Sequence, residues 1–277
     1  MILVAGGTGR LGSLVVARLA TAGHDVRVLS RELSPRSLPD GVESVRADVR
    51  ERATLVDTLD GVTTVVSAIQ GFDGPGKVTP ASVDRDGNAH LVELAADAGA
   101  DMVLMSIVGA SPDSPMELFR AKYAAEQHLL ASGAEWTIVR ATAFVELWAE
   151  IMAKPIVFGR GDNPINFVSV RDVAEVVVRA VLDPALRGHV LEVGGPENVT
   201  FNELAERLQR VRGTDRRVRH VPRVALRAGA VFDRRARAGL AMDTVDLTFD
   251  AAAARALWAD LPVTQLDAAL RAVPTAC

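Results

Sequence analysis

The sequence predicts an α/β fold with a Rossmann-type doubly wound parallel sheet and a smaller C-terminal substrate lobe. Two observations carry this prediction. An apolar strand at residues 1–5 runs directly into a glycine-spaced turn and a helix, and strand-like runs alternate with runs of helical periodicity along the rest of the N-terminal half. The strand-like runs, such as residues 63–69, are rich in apolar and β-branched residues, which is typical of strands buried on both faces of a sheet.

The predicted elements follow one another in the order strand, helix, strand. We expect strands at residues 1–5, 24–30, 43–47, 63–69, 101–107 and 135–140. We expect helices at residues 13–20, 53–59, 80–98 and 115–132. Further on, the pattern predicts a helix ending at Leu182, a strand near residues 190–193, and a capping box at Thr200–Glu203 that opens another helix. These elements predict domains at residues 1–155 and 156–277, with residues 165–194 returning to the core of the first.

Composition and length describe a globular chain. The 277 residues are 49% hydrophobic and 24% charged, with a formal net charge of −4, and no segment approaches the apolar length needed to cross a bilayer. The first strand begins at residue 2, which leaves no room for a signal peptide, so a cytoplasmic location is expected. Cys277 is the only cysteine, and the five histidines are scattered without metal-ligand spacing. We therefore expect neither an intramolecular disulfide nor a metal site.

A glycine-spaced turn follows the first strand and reads Gly6-Gly7-Thr8-Gly9-Arg10-Leu11-Gly12. Its glycines fit G-x-G-x-x-G when counted from Gly7 and G-x-x-G-x-x-G when counted from Gly6. In either frame one glycine permits the tight turn, one lets the backbone approach a pyrophosphate, and one lets the helix pack closely on the strand. The pyrophosphate is then expected at the positive N-terminus of the helix. The turn predicts that the first domain binds a dinucleotide through Gly6, Thr8, Gly9, Arg10, Leu11 and Gly12.

The charges after the second and third strands bear on which dinucleotide binds. Arg31 is the first charged residue after the second strand, where NAD sites usually carry an acid, and together with Arg10 it suits the 2′-phosphate of NADP(H). NADP(H) is therefore preferred, while Glu32 keeps NAD(H) open, and both arginines also fit solvated surface charges. Asp48 and Val49 follow the third strand and are expected at the adenine edge, although Asp48 also fits a helix cap.

Further motifs lie in order along almost the whole chain. They are Gly6–Gly12, Ser106-Ile-Val-Gly109, Arg120-Ala-Lys122-Tyr-Ala-Ala-Glu126, Trp136-Thr-Ile-Val-Arg140-Ala-Thr-Ala-Phe144 and Phe167-Val-Ser-Val-Arg-Asp172-Val-Ala. With these motifs the chain resembles the NmrA-like, atypical branch of the short-chain dehydrogenase/reductase superfamily. The resemblance implies either an NAD(P)H-dependent reductase of quinones, azo compounds or activated double bonds, or a regulatory redox sensor that binds NADP(H) without turnover.

Lys122 is the residue to which the resemblance assigns a catalytic and cofactor-binding role. The superfamily's usual Tyr-x-x-x-Lys pair, in which the lysine binds the nicotinamide ribose, is incomplete here, because Leu118 stands at the tyrosine position and the only tyrosine is Tyr123. Only three of the 31 basic residues are lysines, which favours a specific role for Lys122. The alternative is a surface ion pair between Lys122 and Glu126, one helical turn further on.

Several other residues are expected around the nicotinamide because they follow strand ends. Ser106 lies at the end of the fifth strand, and its hydroxyl is expected to contact nicotinamide or substrate, although a strand-end serine also bonds to its own backbone. The remaining cofactor contacts are expected at Ala68, Ile69, Ala141 and Phe144. Aromatic side chains after strand ends are candidates for a substrate wall, with core packing as the alternative; they are Phe72, Phe144 and Trp148.

A basic segment, residues 210–237, contrasts with the acidic chain. It holds ten arginines against Asp215 and Asp233. Such a segment can attract an anionic ligand, a membrane surface or nucleic acid, but it lacks aromatic interleaving and any nucleic-acid motif, so we interpret it as a solvated helical face. The partner expected is a small-molecule hydride acceptor, with neither nucleic acid nor membrane, and the sequence does not predict an oligomeric state.

Overall fold

The structure, a computed structural model, describes residues 1–32, 38–72, 74, 78–257 and 260–274. Cys277 lies outside these ranges. The chain forms two compact units: the first contains residues 1–140 and 173–192, and the second contains residues 141–172 and 193–277. The boundary predicted at residue 155 and the returning segment predicted at residues 165–194 both differ from this division. In the structure residues 141–155 group with the second unit, and residues 173–192 return to the first.

The described part of the chain contains the following strands and helices. The strands are β1 Ile2–Ala5, β2 Val26–Ser30, β3 Glu43–Arg46, β4 Thr64–Ser67, β5 Asp101–Ile107, β6 Trp136–Ala141, β7 Ala143–Phe144, β8 Ile156–Phe158, β9 Pro164–Val168, β10 His189–Val193, β11 Asn198–Thr200 and β12 Arg219–Val221. The helices are α1 Arg10–Thr21, α2 Asp86–Ala98, α3 Glu117–Ala131, α4 Val145–Ile151, α5 Val170–Leu182, α6 Phe201–Arg212, α7 Arg223–Gly229, α8 Arg234–Met242, α9 Ala251–Leu257 and α10 Leu266–Arg271.

The first unit is built on one sheet, whose seven described strands have the order β10-β6-β5-β4-β1-β2-β3. β1 runs parallel to both β2 and β4, with Ile2 opposite Val26 on one side and Thr64 on the other. The pairs β2–β3 and β4–β5 are parallel as well. The chain leaves β1 first towards β3 and later returns to β4, so the switch point of the sheet lies between β1 and β4. The predicted fold class is confirmed.

Apolar patterning explains why this unit folds as it does. All four residues of β1 and all four of β4 are buried, as expected for strands covered on both faces. In α1, Leu11, Val15 and Leu19 recur every four residues and are buried, so the helix turns one apolar stripe towards the core. This packing orders the carboxyl ends of β1 and β4, where the glycine turn and residue 68 begin the loops.

Two predicted helices differ from the structure. Residues 53–59 form two short 3₁₀ turns, at Arg52–Thr54 and Val56–Leu59, rather than one helix. Residues 80–98 contain a π-helical segment, Pro80–Arg85, before α2 begins. Thr79 and Ser82 form a capping box at the start of that segment, which the sequence analysis missed. Among the described residues, no helix combines the length and the apolar character that crossing a bilayer requires.

The second unit contains two small sheets in its described residues, β11-β9-β7 and β12-β8. β7 pairs in parallel with β9, which explains why the chain after residue 140 groups with this unit. The core of the unit includes Phe167 and Phe201, whose ring centroids are 5.8 Å apart. Phe201 is the first residue of α6, and the predicted capping box is present there. Glu203 N donates to Thr200 Oγ1, and Thr200 N donates to Glu203 Oε2.

Candidate functional site

The glycine turn brings three backbone segments close together: the turn itself, the start of α1 and the end of β4. Gly6 has φ +80°, a conformation that favours glycine, and its carbonyl accepts a hydrogen bond of 2.9 Å from Gly9 N. A Cβ on Gly12 would lie 2.1 Å from Gly6 O, and a Cβ on Gly6 would lie 2.7 Å from Ala68 O. Gly12 therefore brings α1 against the turn, and Gly6 brings the turn against the end of β4.

The N-terminus of α1 is open. Gly9 is the N-cap residue with an extended backbone, and as a glycine it has no side chain to cap the helix. The first intrahelical bond runs from Ser13 N to Gly9 O at 3.0 Å. Helix geometry leaves the N–H groups of the first turn, at residues 10–12, without carbonyl partners inside the helix, and the helix dipole adds positive potential. These features of the helix N-terminus are those that favour an anion.

The loop after β4 closes the other side of the switch point. Ala68 N donates to Ala5 O at 2.9 Å, which continues the ladder between β1 and β4 by one residue. Ala68 is half-buried, and the Ile69 side chain is 9% exposed. The glycine turn and residues 68–69 therefore lie side by side at the carboxyl ends of the strands. Backbone space for a phosphate, an open helix N-terminus and an apolar strand end together fit a dinucleotide.

The turn after β2 holds Arg31 at the surface. Arg46 Nε donates to Arg31 O at 3.2 Å, and the buried Ser30 hydroxyl donates to Glu32 O. These bonds fix the backbone while the Arg31 side chain is exposed. Arg10, at the first position of α1, is half-buried. A role for Arg31 and Arg10 at a 2′-phosphate stays a prediction.

Asp48 is engaged by its own loop. Its Oδ2 lies 2.5 Å from Arg50 Nη2, and its Oδ1 accepts from Arg50 N at 3.0 Å. The hydrogen bond from the Arg50 guanidinium holds the pKa of Asp48 below its ordinary value. Val49 is buried, and its carbonyl is hydrogen-bonded to His90 Nδ1 at 2.8 Å. Both residues shape the loop after β3, and their contact with an adenine stays a prediction.

Lys122 is buried inside the first unit rather than paired on its surface. Its side chain is 7% exposed, and Nζ donates to Ile69 O and Met105 O, each at 3.0 Å. Nζ also lies 3.0 Å from Asp84 Oδ1. Two of the three ammonium hydrogens are thus donated to backbone carbonyls, and the Asp84 carboxylate forms an ion pair with the same group. The predicted contact with a nicotinamide ribose is untested. In this structure the ammonium instead ties the loop after β4 to β5 and to the π-helical segment.

Asp84 is the functional candidate that the sequence analysis missed. Its side chain is fully buried; Oδ2 accepts from Gly71 N at 2.8 Å, and its carbonyl accepts from Asn88 Nδ2 at 2.7 Å. Asn88 Oδ1 in turn accepts from Ser67 Oγ at 2.5 Å. Burial raises the pKa of Asp84 above its ordinary value, and the nearby Lys122 ammonium opposes that shift. An aspartate inside a predicted helix reads as a solvated residue, so only the tertiary structure reveals this network.

The alternative surface pair between Lys122 and Glu126 is wrong. The Glu126 side chain is 1% exposed and forms a bidentate pair with Arg140, at 2.9 Å to Nε and 2.7 Å to Nη2. Arg140 also lies 3.3 Å from Glu192 Oε1. The two carboxylates raise the pKa of the Arg140 guanidinium, with the hydrogen bonds to Glu126 as the largest cause. Arg140 therefore cross-links α3, β6 and β10 within the first unit.

Ser106 has a buried hydroxyl without a partner. The residue lies near the end of β5 and is 6% exposed, and Oγ has no hydrogen-bond partner among the atoms that the structure describes. A buried hydroxyl costs free energy when it is unpaired. The expected contact of Ser106 with nicotinamide or substrate stays a prediction. Tyr123 and Leu118 on α3 are both half-buried.

The predicted aromatic wall is divided between the two units. Phe72 is half-buried in the first unit. Phe144 and Trp148 belong to the second, where Trp148 packs on Phe201 with ring centroids 4.6 Å apart. For Trp148 the contact supports the core-packing alternative. Ala141, which is predicted to contact the nicotinamide, is buried at the start of the second unit.

Comparisons with known proteins agree with this geometry. A family model described as NAD(P)H-binding matches residues 6–184. The chain is 32% identical over 234 residues to an NAD(P)H azoreductase of Xenophilus azovorans, covering 80% of this chain and 76% of the relative. It is 35% identical over 222 residues to a (4-alkanoyl-5-oxo-2,5-dihydrofuran-3-yl)methyl phosphate reductase of Streptomyces griseus, covering 77% and 74%.

A solved structure shows the same fold at lower identity. The NADPH-dependent quinone oxidoreductase of Escherichia coli, crystallised with NADPH, superposes with a TM-score of 0.79 at 22% identity and covers 98% of each chain. At this identity the likeness shows the fold alone.

Proposed function

This chain belongs to the NAD(P)H-binding family, in agreement with the resemblance predicted from its motifs, and we propose that it is an NAD(P)H-dependent reductase of electron-poor small molecules. The observation that carries the proposal is the cradle at the switch point, where Gly6, Gly9 and Gly12 leave backbone space beside the open N-terminus of α1. Two relatives at or above 32% identity are named as reductases, which supports the same reaction class. The cytoplasmic location stays a prediction from the sequence.

The residues of the first unit suit the separate parts of the cofactor. The turn at residues 6–12 would hold the pyrophosphate through its N–H groups, and the strand end at Ala68 and Ile69 would lie against the nicotinamide half. When bound, the reduced nicotinamide supplies the hydride. Ser106 Oγ would donate to the carboxamide or to the substrate. Lys122 would act as a positioning residue that holds the carbonyls of Ile69 and Met105 in place.

The proton supply favours particular substrates. A ketone becomes an alcohol only if hydride and proton arrive close together. Leu118 stands at the position where the superfamily carries its tyrosine, and the Lys122 ammonium is held by two backbone carbonyls and by its ion pair with Asp84. Quinones, azo groups and activated double bonds form stabilised anions that take their proton from water afterwards. We therefore propose these acceptors, and not simple ketones, as the substrate class.

NADPH is the proposed electron donor over NADH. Arg31 is exposed after β2, where an acid would be expected in an NAD site, and a guanidinium pairs bidentately with a phosphate. Arg10 lies within the glycine turn and adds a second cation.

The experiment that tests the function is a screen of the purified full-length chain. NADPH oxidation at 340 nm is followed with a quinone, an azo dye, an enone and a simple ketone as acceptors. We expect turnover with at least one of the first three, and on the ketone a rate about 100-fold lower. Efficient ketone reduction that is lost in Tyr123→Phe would show that the Tyr123 hydroxyl donates the proton, contrary to this proposal. Tight NADPH binding without turnover of any acceptor would favour the redox sensor instead.

A further inference from the structure

The hairpin of α7 and α8 presents an apolar tip to solvent. Leu226 is buried and anchors α7, whereas Val224 is 75% exposed on another face of the same helix. Beyond α7, Val231 is 66% exposed and Phe232 is 93% exposed. We call Val231 and Phe232, which follow α7 in the turn before α8, the apolar tip. Neighbouring apolar side chains that stay in water form a patch, and such patches mark contact sites on protein surfaces.

The tip is ordered by the backbone around it. Phe232 N and Asp233 N both donate to Gly229 O, at 3.0 and 2.8 Å. The Asp233 carboxylate caps α8 by accepting from Arg235 N at 2.9 Å, and Arg237 Nη2 donates to Ala230 O at 2.9 Å. These bonds fix the turn between the two helices. The outward position of Phe232 is therefore part of the fold of this hairpin.

Positive charge lies on the same hairpin. Its residues 223–242 carry five arginines and Asp233, a formal charge of +4, whereas the whole chain has −4, so the remainder carries −8. Arg223 is tied to the buried Asp243 at the base of the hairpin, with Nε 3.1 Å from Oδ2. Arg227, Arg235 and Arg237 are exposed near the tip. The hairpin thus carries exposed apolar side chains and exposed arginines close together in the sequence.

This combination fits an anionic bilayer surface better than other partners. At such a surface guanidinium groups pair with lipid phosphates while an aromatic ring enters the acyl region. The same hairpin of a second copy would bring like charges together. Single-stranded nucleic acid is held in a groove with several stacking rings, and the hairpin offers one ring on a convex turn. Charge complementarity therefore selects the membrane.

We propose that the α7–α8 hairpin docks this protein peripherally on anionic membranes, with Phe232 inserted and the arginines on the phosphates. This inference replaces the expectation from sequence that the basic segment is only a solvated face without a membrane partner. It is independent of the proposed reductase activity, since the docking concerns the hairpin and not the glycine cradle. The exposure of Phe232 is the new observation, because the sequence shows the charge but not the orientation of the ring.

Vesicle binding of the full-length protein tests the proposal. Large vesicles of phosphatidylcholine and phosphatidylglycerol in equal parts are compared with pure phosphatidylcholine by co-sedimentation. We expect binding to the anionic vesicles only, weakened about 30-fold in Phe232→Ser and about tenfold in Arg227→Glu. The matched controls are Leu130→Ser and Arg271→Glu, which alter an exposed apolar residue and an exposed arginine outside the hairpin and should bind like the parent. In Phe232→Trp, the added fluorescence should shift to the blue when anionic vesicles are added.

Three outcomes would overturn the proposal. The first is equal vesicle binding by the parent and Phe232→Ser. That result would show that charge attraction alone, without insertion of the ring, accounts for the binding. The second is binding to duplex or single-stranded DNA that depends on Phe232 while vesicles are ignored. The third is a raised KM for a soluble quinone in Phe232→Ser with vesicle binding unchanged. That result would show that the tip contacts the substrate and not a membrane. Activity of Phe232→Ser on soluble acceptors should equal that of the parent.

Discussion

Lys122 Nζ lies 3.0 Å from Asp84 Oδ1, and the exposed fractions of the two side chains are 7% and 0%. The pair joins α3 to the π-helical segment before α2, while the other ammonium hydrogens hold the carbonyls of Ile69 and Met105. A buried charge without its partner is strongly unfavourable, so each member of this pair depends on the other. The Lys122–Asp84 pair therefore helps to position the loops at the ends of β4 and β5.

The first prediction concerns the coupling of this pair. Asp84→Asn and Lys122→Met should each lower the free energy of unfolding by about 3–5 kcal/mol, because each leaves one buried polar group unpaired. The double variant should lose less than the sum of the two by more than about 1 kcal/mol. Urea unfolding of the four proteins measures the cycle. Strict additivity would mean that the two groups do not interact.

The same double variant separates two roles of Lys122. If the lysine only positions the loops, the folded double variant should bind NADPH within about tenfold of the parent, because a neutral pair can still pack there. A loss of binding far beyond that in a folded double variant would show that the ammonium holds the ribose directly.

The second prediction is a pH dependence. Burial raises the pKa of Asp84 in the folded protein above its value in the unfolded chain. The contribution of a group with a raised pKa is complete below the unfolded value, about 3.9, and is lost as the pH rises through the folded value. The stability of the parent relative to Asp84→Asn should therefore fall as the pH increases from about 4. Urea unfolding of both proteins across this range checks it, and a difference that rises with pH would contradict it.

The third prediction distinguishes two glycines of the turn. Gly12→Ala should destabilise the fold by about 2 kcal/mol or more, because its Cβ would lie 2.1 Å from Gly6 O. Gly9→Val should keep the fold but lose dinucleotide binding, because the nearest atom to a Cβ there is Gly6 O at 3.2 Å and the side chain would occupy the phosphate space. Thermal unfolding and NADPH titration measure the two effects. Ser13→Ala, on an exposed position of the same helix, is the control, and parent-like NADPH binding by Gly9→Val would place the phosphate elsewhere.

The fourth prediction concerns Arg31. Its replacement by Ala should weaken NADPH binding by about 1.5–3 kcal/mol and leave NADH binding nearly unchanged, because only NADPH carries the 2′-phosphate. Arg31→Lys should lose less, since it keeps the charge but not the bidentate geometry. Fluorescence titration with both cofactors provides the internal control. Equal losses for NADPH and NADH would remove Arg31 from the phosphate site.

The fifth prediction contrasts two buried serines. Ser106→Ala should leave stability within about 0.5 kcal/mol of the parent, because the structure gives Oγ no partner to lose, but it should lower kcat about tenfold or more. Ser67→Ala removes the 2.5 Å hydrogen bond to Asn88 and should cost about 1–3 kcal/mol of stability. A clear loss of stability in Ser106→Ala, with kcat unchanged, would show that the Ser106 hydroxyl stabilises the fold and does not take part in the reaction.

The sequence by itself determined the strands of the first unit and the glycine turn, because these depend on local patterns. The apolar run at residues 63–69 predicts a buried strand, and the spacing from Gly6 to Gly12 predicts the close turn, whatever the rest of the chain does. The capping box at Thr200 and Glu203 is local in the same sense.

Only the tertiary structure decided which charges meet and which apolar groups stay outside. Lys122 and Glu126 are one helical turn apart, yet they pair with Asp84 and Arg140, 38 residues upstream and 14 residues downstream respectively. Side chains choose partners by distance in space and by the cost of burying charge, and neither quantity is contained in a helical spacing. For the same reason the arginines near Phe232 are readable in the sequence, whereas the exposure of the ring at 93% is not.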